Sequence, residues 1–196
     1  MEIEIKKIAG AIGAEISGVQ VDNICEERFK IINDALLDHG IIYFREQTIS
    51  PKEQLDFAKM WNEPHLHPYL SGLPEFPEII EIVKEPSDPN NFGDHWHTDQ
   101  IFTPVPAMGT MLYAKEVPQA GGDTMFACME KAYENLSDAM KKMLAKLSTS
   151  NRYDKSAARS DKMQNKIPNP DESTMVAVHP LIRVHPETGR PSLYLT

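Results

Sequence analysis

The sequence predicts a β-rich α+β fold in one domain, residues 1–196. Short apolar runs recur along the chain, turn residues separate them, and only two or three segments carry helical periodicity. Strands and helices do not alternate regularly, which excludes a βαβ array. Neither repeats nor a low-complexity linker divide the 196 residues, a length that suits one sizeable core.

Each element can be justified in order. Charged and apolar residues alternate through Ile5, and Gly10, Gly13 and Gly18 then punctuate short strands. Glu26 to His39 places Phe29, Ile32 and Leu36 at helical spacing, and Gly40 ends that helix. Ile41 to Phe44 reads as a buried strand. Ser50-Pro51-Lys52-Glu53 is a capping box with proline at the first helical position, opening a helix to about Trp61. Pro77–Val83, Ala107–Val117 and Thr124–Cys128 read as strands. Ser137 caps a helix through Leu147, with Met140, Met143, Leu144 and Leu147 as its core stripe. Residues 148–174 are polar and loop-like. Val176–His185 and Ser192–Leu195 flank Pro186-Glu187-Thr188-Gly189, a hairpin turn.

Charge and cysteine content narrow the class. A net charge of -9 and a pI of about 5.2 repel nucleic acid and anionic membranes, leaving small molecules as the expected partners. The two cysteines, Cys25 and Cys128, form no CxxC pair and point to a reducing compartment. No signal-peptide core opens the chain and no apolar run is long enough to span a bilayer, so a cytoplasmic setting is expected.

Chemistry concentrates in Gly93-Asp94-His95-Trp96-His97-Thr98-Asp99. If residues 95–99 are extended, His95, His97 and Asp99 share one face, with neighbours ~6.6 Å apart at Cα. Two such side chains can converge on one ion, whereas all three would span ~13 Å, too far for one metal. Either His95/His97 or His97/Asp99 binds, and a remote residue completes the site. An imidazole and a carboxylate with open positions beside them suit Fe(II) oxygenase chemistry.

The surroundings extend the pattern. Trp96-His97-Thr98-Asp99-Gln100-Ile101-Phe102, Pro104 and Pro106, Leu112-Tyr113-Ala114, Glu116-Val117-Pro118 and Gly121-Gly122-Asp123-Thr124 together resemble the TauD/TfdA family. The likeness continues in Ala132-Tyr133, Leu136-Ser137 and the run His179-Pro180-Leu181-Ile182-Arg183-Val184-His185-Pro186-Glu187-Thr188-Gly189-Arg190. It reaches back to Gly13-Ala14-Glu15-Ile16-Ser17-Gly18 and Phe44-Arg45-Glu46-Gln47. The resemblance implies a double-stranded β-helix, or jelly roll, with flanking helices. It also implies Fe(II), 2-oxoglutarate as co-substrate, O2, and hydroxylation of a small organic anion with release of succinate and CO2. By the same resemblance His97 and Asp99 are metal ligands and catalytic, and the Thr124 hydroxyl binds the 2-oxoglutarate carboxylate.

Two family elements have no counterpart. The distal histidine ligand and the arginine that pairs with 2-oxoglutarate normally follow the hairpin that ends at Thr196, so the chain is expected to be a C-terminally shortened member lacking its last strands. An incomplete sheet would favour a homo-oligomer. His179, His185, Arg183 and Arg190 do not match those missing residues and are expected to be structural. His67, in His65-Leu66-His67-Pro68, matches a substrate-contacting histidine of the taurine branch, whereas Leu70 and Gly93 depart from its tyrosine and asparagine contacts. Sulfonates, sulfate esters, aryloxyacetates and other small carboxylates therefore all stay open as substrates.

Two other readings differ in class. His95-Trp96-His97-Thr98-Asp99 also resembles the HxHxD stretch of zinc hydrolases, although Gln100 stands where that motif has a further histidine. A shortened family member acting only as a binding module is the other. The ten methionines are expected to fill core, Trp61 can be core or interface, and Asp154–Asp161 is a mixed-charge loop whose family position implies a lid.

Overall fold

The N-terminal third of the chain builds the best-packed layer. A computed structural model describes residues 2–87, 93, 95–153 and 175–196, and the expected lid over 154–161 lies outside them. Strand β1 (Glu4–Lys7) pairs antiparallel with β2 (Ala14–Ser17), which pairs in parallel with β3 (Ile42–Phe44), giving the order β1-β2-β3. Helix α1 (Glu26–His39) makes the crossover between β2 and β3, the single βαβ unit among the described residues. Its end is the one anticipated: Gly40 sits at φ +69° and its N–H donates to the Leu36 carbonyl at 2.7 Å.

Burial follows the apolar period. Ile16, Val19, Val21, Ile32, Ala35, Ile49 and Phe57 form the core, with Ile16 and Ile32 fully enclosed. Helix α2 (Pro51–Lys59) lays Phe57 against it, and both halves of its capping box form: the Ser50 hydroxyl accepts from the Glu53 N–H and the Glu53 carboxylate from the Ser50 N–H. Trp61 belongs to this core edge. Its ring meets Phe29 and Phe57 edge-on at 4.7 and 5.1 Å, and its N–H donates to Asn33 at 2.8 Å. Gln47 locks the loops around β3, its amide oxygen accepting from the Val21 N–H and its nitrogen donating to the Val19 and Arg45 carbonyls.

The rest is looser. Helices α3 (Met129–Glu134) and α4 (Asp138–Leu144) follow, then β4 (Ser148–Arg152), β5 (Val176–Pro180), β6 (Ile182–Val184) and β7 (Pro191–Leu193). β4 pairs antiparallel with β5 and β6 with β7, so the described strands form three small sheets. The Glu130 carboxylate takes the Arg190 guanidinium at 2.7 Å, joining α3 to the hairpin loop before β7. No helix among the described residues is long and apolar enough to cross a membrane.

Several expectations are corrected. Pro77–Val83, Ala107–Val117 and Thr124–Cys128 adopt no ladder. An extended segment becomes a strand only where a neighbour exchanges a run of backbone hydrogen bonds with it, and among the described residues such contacts stop at isolated bonds, as from the Leu73 N–H to the Ile79 carbonyl. The α4 stripe is not core: Met140, Met143 and Leu147 are exposed, because no described element packs on that side. Residues 148–152, expected to be loop, form β4, whose polar sequence pairs fully with β5; buried Asn151 donates to Thr149 and to the Ala177 carbonyl. Six-residue α3 was too short to show a period.

Candidate metal centre

Backbone and side chain conspire to aim His97. Its Nδ1 lies 2.8 Å from the His95 carbonyl oxygen, and since a carbonyl only accepts, Nδ1 carries the proton. Nε2 is thereby left to face outward, 3.1 Å from Asp99 Oδ1. The other carboxylate oxygen, Oδ2, accepts from the Thr110 hydroxyl at 2.6 Å, which fixes the rotation of the carboxylate. Two donors at right angles on a metal with bonds of about 2.1 Å lie about 3 Å apart, so the pair fits two adjacent coordination positions. The same spacing suits an imidazolium–carboxylate contact. Side-chain exposures of 41% and 51% leave the pair open to an incoming ion.

Of the two pairings that the sequence left open, the structure brings His97 and Asp99 together. The His95 ring stands beside that of His97, centroids 5.6 Å apart, yet no three His, Cys, Asp or Glu side chains among the described residues converge to hold a metal. The HxHxD trio of a zinc hydrolase is therefore not assembled, and a third ligand is not supplied by the described residues.

Remote segments hold the motif. The Thr98 hydroxyl donates to the Leu195 carbonyl at 3.0 Å and its N–H to the Thr196 hydroxyl at 3.3 Å. Gln100 turns the chain at φ +50°, and its carbonyl accepts from both the N–H and the hydroxyl of Thr103, each at 2.9 Å. His65 reaches the Gln100 side chain, and His179 reaches the carbonyls of Ile101 and Thr103. His185 instead caps its own turn, Nδ1 accepting from the Glu187 and Thr188 N–H groups at 3.3 Å. Both histidines are structural, as expected: His185 caps the hairpin turn, and His179 holds the turn that follows Asp99.

His67 occupies the rim of an aromatic cluster. Tyr69 stacks on Tyr153 with centroids 4.1 Å apart, Phe102 meets Tyr153 edge-on at 5.0 Å, and the His67 ring sits 6.2 to 6.5 Å from all three. Its Nδ1 accepts from the Tyr69 and Leu70 N–H groups at 3.1 and 3.0 Å, so the proton of the neutral ring stays on Nε2. Burial lowers its pKa to about 4, with His65 adding to the fall and the Asp99 charge opposing it. At neutral pH it is an uncharged hydrogen-bond donor. Thr124 lies in an exposed stretch, and no hydrogen bond among the described residues joins it to His97 or Asp99. Thr98, Thr110, His65 and His179 escaped the sequence reading, because their roles are set by contacts across 11 to 98 residues of chain.

On this irregular segment an imidazole held by a backbone carbonyl and a carboxylate held by a hydroxyl form a mixed nitrogen–oxygen donor pair of the kind that can hold a metal ion. Residues 4–196 match the family described as taurine catabolism dioxygenase TauD, TfdA family, and the chain belongs to it. An alkylsulfatase of Acinetobacter baylyi is 33% identical over 206 residues, 99% of this chain and 63% of that protein. An alpha-ketoglutarate-dependent sulfate ester dioxygenase of Pseudomonas putida is 30% identical over 203 residues, 100% of this chain and 66% of that protein. A taurine dioxygenase structure from Burkholderia xenovorans superposes with a TM-score of 0.73 at 28% identity, over 98% of this chain and 62% of that one. The chain therefore spans somewhat under two thirds of the length of these relatives.

Proposed function

We propose that this chain serves an Fe(II)- and 2-oxoglutarate-dependent dioxygenase that hydroxylates a small organic anion. The observation that carries the reading is the His97 Nε2 to Asp99 Oδ1 distance of 3.1 Å, with His97 held in its tautomer by the His95 carbonyl. In this reading His97 and Asp99 hold the iron, and Thr124 donates its hydroxyl to the 2-oxoglutarate carboxylate. Bound iron supplies activation of O2 coupled to decarboxylation of the 2-oxo acid to succinate and CO2. The chain contributes strands to a jelly roll, and the two free cysteines suit a cytoplasmic setting.

The residues' own work is orientation. Thr110 holds one Asp99 oxygen so that the other stays aimed at the metal position. His67 offers an uncharged N–H to an anionic oxygen of the substrate, and half-buried Tyr153, backed by buried Tyr69 and Phe102, offers apolar surface to its carbon part. The names of the relatives, which include a sulfate ester dioxygenase and an (S)-phenoxypropionate dioxygenase of Delftia acidovorans, support an anionic substrate with an apolar portion.

The test is succinate formation from 2-oxoglutarate with Fe(II) and ascorbate by the protein completed through the family's distal histidine and arginine, across alkyl sulfates, alkyl sulfonates and aryloxy acids. Turnover with at least one anion is expected, with Asp99→Ala and His97→Ala each abolishing it and weakening Mn(II) binding by at least about 100-fold. No turnover with any anion, together with Mn(II) binding that ignores both substitutions, sinks the proposal. Tight zinc binding without any effect of 2-oxoglutarate would favour hydrolysis instead.

A further inference from the structure

Two histidines outside the metal pair grip the turn that follows Asp99, and they come from distant parts of the chain. Gln100 holds φ +50°, a left-handed conformation that costs a residue with a Cβ on the order of 1 kcal/mol and persists only where surroundings enforce it. His65 Nδ1 lies 2.6 Å from Gln100 Oε1; an amide oxygen only accepts, so the ring nitrogen is the donor. Buried His179, on β5, places Nε2 2.9 Å from the Ile101 carbonyl oxygen and 3.0 Å from that of Thr103. One N–H is thus shared by two carbonyls in a buried turn, where an apolar side chain would leave both without a partner.

We infer that His65 and His179 are positioning residues that lock the left-handed turn after Asp99 and so hold its carboxylate against His97. Neither side chain donates to the pair itself. His97 is anchored separately, through the His95 carbonyl and through Thr98, which bonds to Leu195 and Thr196. A change of φ at Gln100 moves the chain beyond it, Thr110 included, relative to His97 and Asp99, so the hydroxyl that fixes Asp99 Oδ2 is drawn away and the 3.1 Å approach of Oδ1 to His97 is lost. The consequence for metal affinity rests on the proposed reading of the pair as ligands; the grip on the turn does not.

The full chain is tested as His65→Ala and His179→Ala, beside His65→Asn and His179→Gln, whose amide nitrogens return an N–H near the lost ring N–H. One readout is amide hydrogen exchange of Thr103 in the metal-free protein, since that N–H bonds to the Gln100 carbonyl. The other is Mn(II) affinity by electron paramagnetic resonance. Both alanine variants are expected to exchange at Thr103 at least about tenfold faster and to bind Mn(II) about 10- to 100-fold more weakly, with the amide variants regaining most of both. The thermal midpoint of His65→Ala should match the wild type, because His65 is exposed; should His179→Ala fail to fold, His65→Ala decides. Unchanged Thr103 exchange in the alanine variants overturns the inference. So does Mn(II) affinity that falls in His97→Ala yet stays at the wild-type value in His65→Ala. Equal Mn(II) affinity in wild type and His97→Ala overturns the metal reading alone, and Thr103 exchange still decides the grip.

Discussion

Residues 2–61 and residues 95–127 are built on opposite principles. In the first, three strands and two helices bury a shared apolar core, the Gln47 amide ties the loops around β3, and a capping box fixes the start of α2. In the second, nearly all the chain is irregular, and Val105, Met108, Leu112, Val117, Met125 and Phe126 point outward. Beyond buried Ile101 and Phe102 and the packing of Met111 and Tyr113 on the N-terminal core, order there comes from polar contacts to remote segments: His65, His179, Leu195 and Thr196 hold the stretch around His97 and Asp99. The contrast teaches that this fold stores its stability in one place and its chemistry in another, so damage to each should read out differently.

The largest expected effect on stability falls in the first region. Ile32 is fully buried in α1 against the sheet, and Ile32→Ala should cost about 2–5 kcal/mol by lost transfer energy plus a cavity. Chemical denaturation of the metal-free protein measures it. A cost under about 1 kcal/mol would mean that the core relaxes around the gap, and the proposed division of labour would fail.

A smaller effect belongs to the boundary between the regions. His67 has a folded pKa of about 4, below the ordinary histidine value, because burial opposes its charged form. The sign follows from linkage: the unfolded chain binds this proton first, so the stability is whole above about pH 6.5 and is lost as pH falls from there toward 4. The slope from this one group reaches about 1.4 kcal/mol per pH unit at most. His67→Gln should flatten the wild-type stability profile across that window, as seen by urea midpoints from pH 7 to pH 4.5. Parallel profiles for the two proteins would show that the ring is not desolvated in solution.

Legibility in the sequence follows the same divide. The α1 helix, its Gly40 end and the Ser50 capping box were readable because each rests on residues within four positions of one another. His97 and Asp99 were readable as a pair through the family resemblance, whereas spacing alone did not say which of His95 and Asp99 His97 would join. That choice is made by the His95 carbonyl, which holds Nδ1, and by Thr110 eleven residues on. The stretches 77–83, 107–117 and 124–128 looked like strands because their composition is strand-like, yet a strand is a property of two segments, and composition speaks for one. Met140 and Met143 show the matching error for helices: a period predicts which residues share a face, while a partner decides whether the face is buried.

The smallest expected effect gives the sharpest test of the contrast. Met125 and Phe126 are 73% and 55% exposed, so in the folded state their side chains bury little that the unfolded chain exposes. Met125→Ser and Phe126→Ser should therefore move the denaturation midpoint by no more than about 0.5 kcal/mol, against the several expected for Ile32→Ala. Solubility should rise, because an exposed apolar run is a site of association. A loss above about 1 kcal/mol would show that these side chains are covered in solution. Repeating the measurement at tenfold lower protein concentration then separates the two covers. A cost that fades on dilution means self-association, since stability borrowed from a second copy falls with concentration. A cost that persists means packing within the chain, and the second region would then own a core of its own.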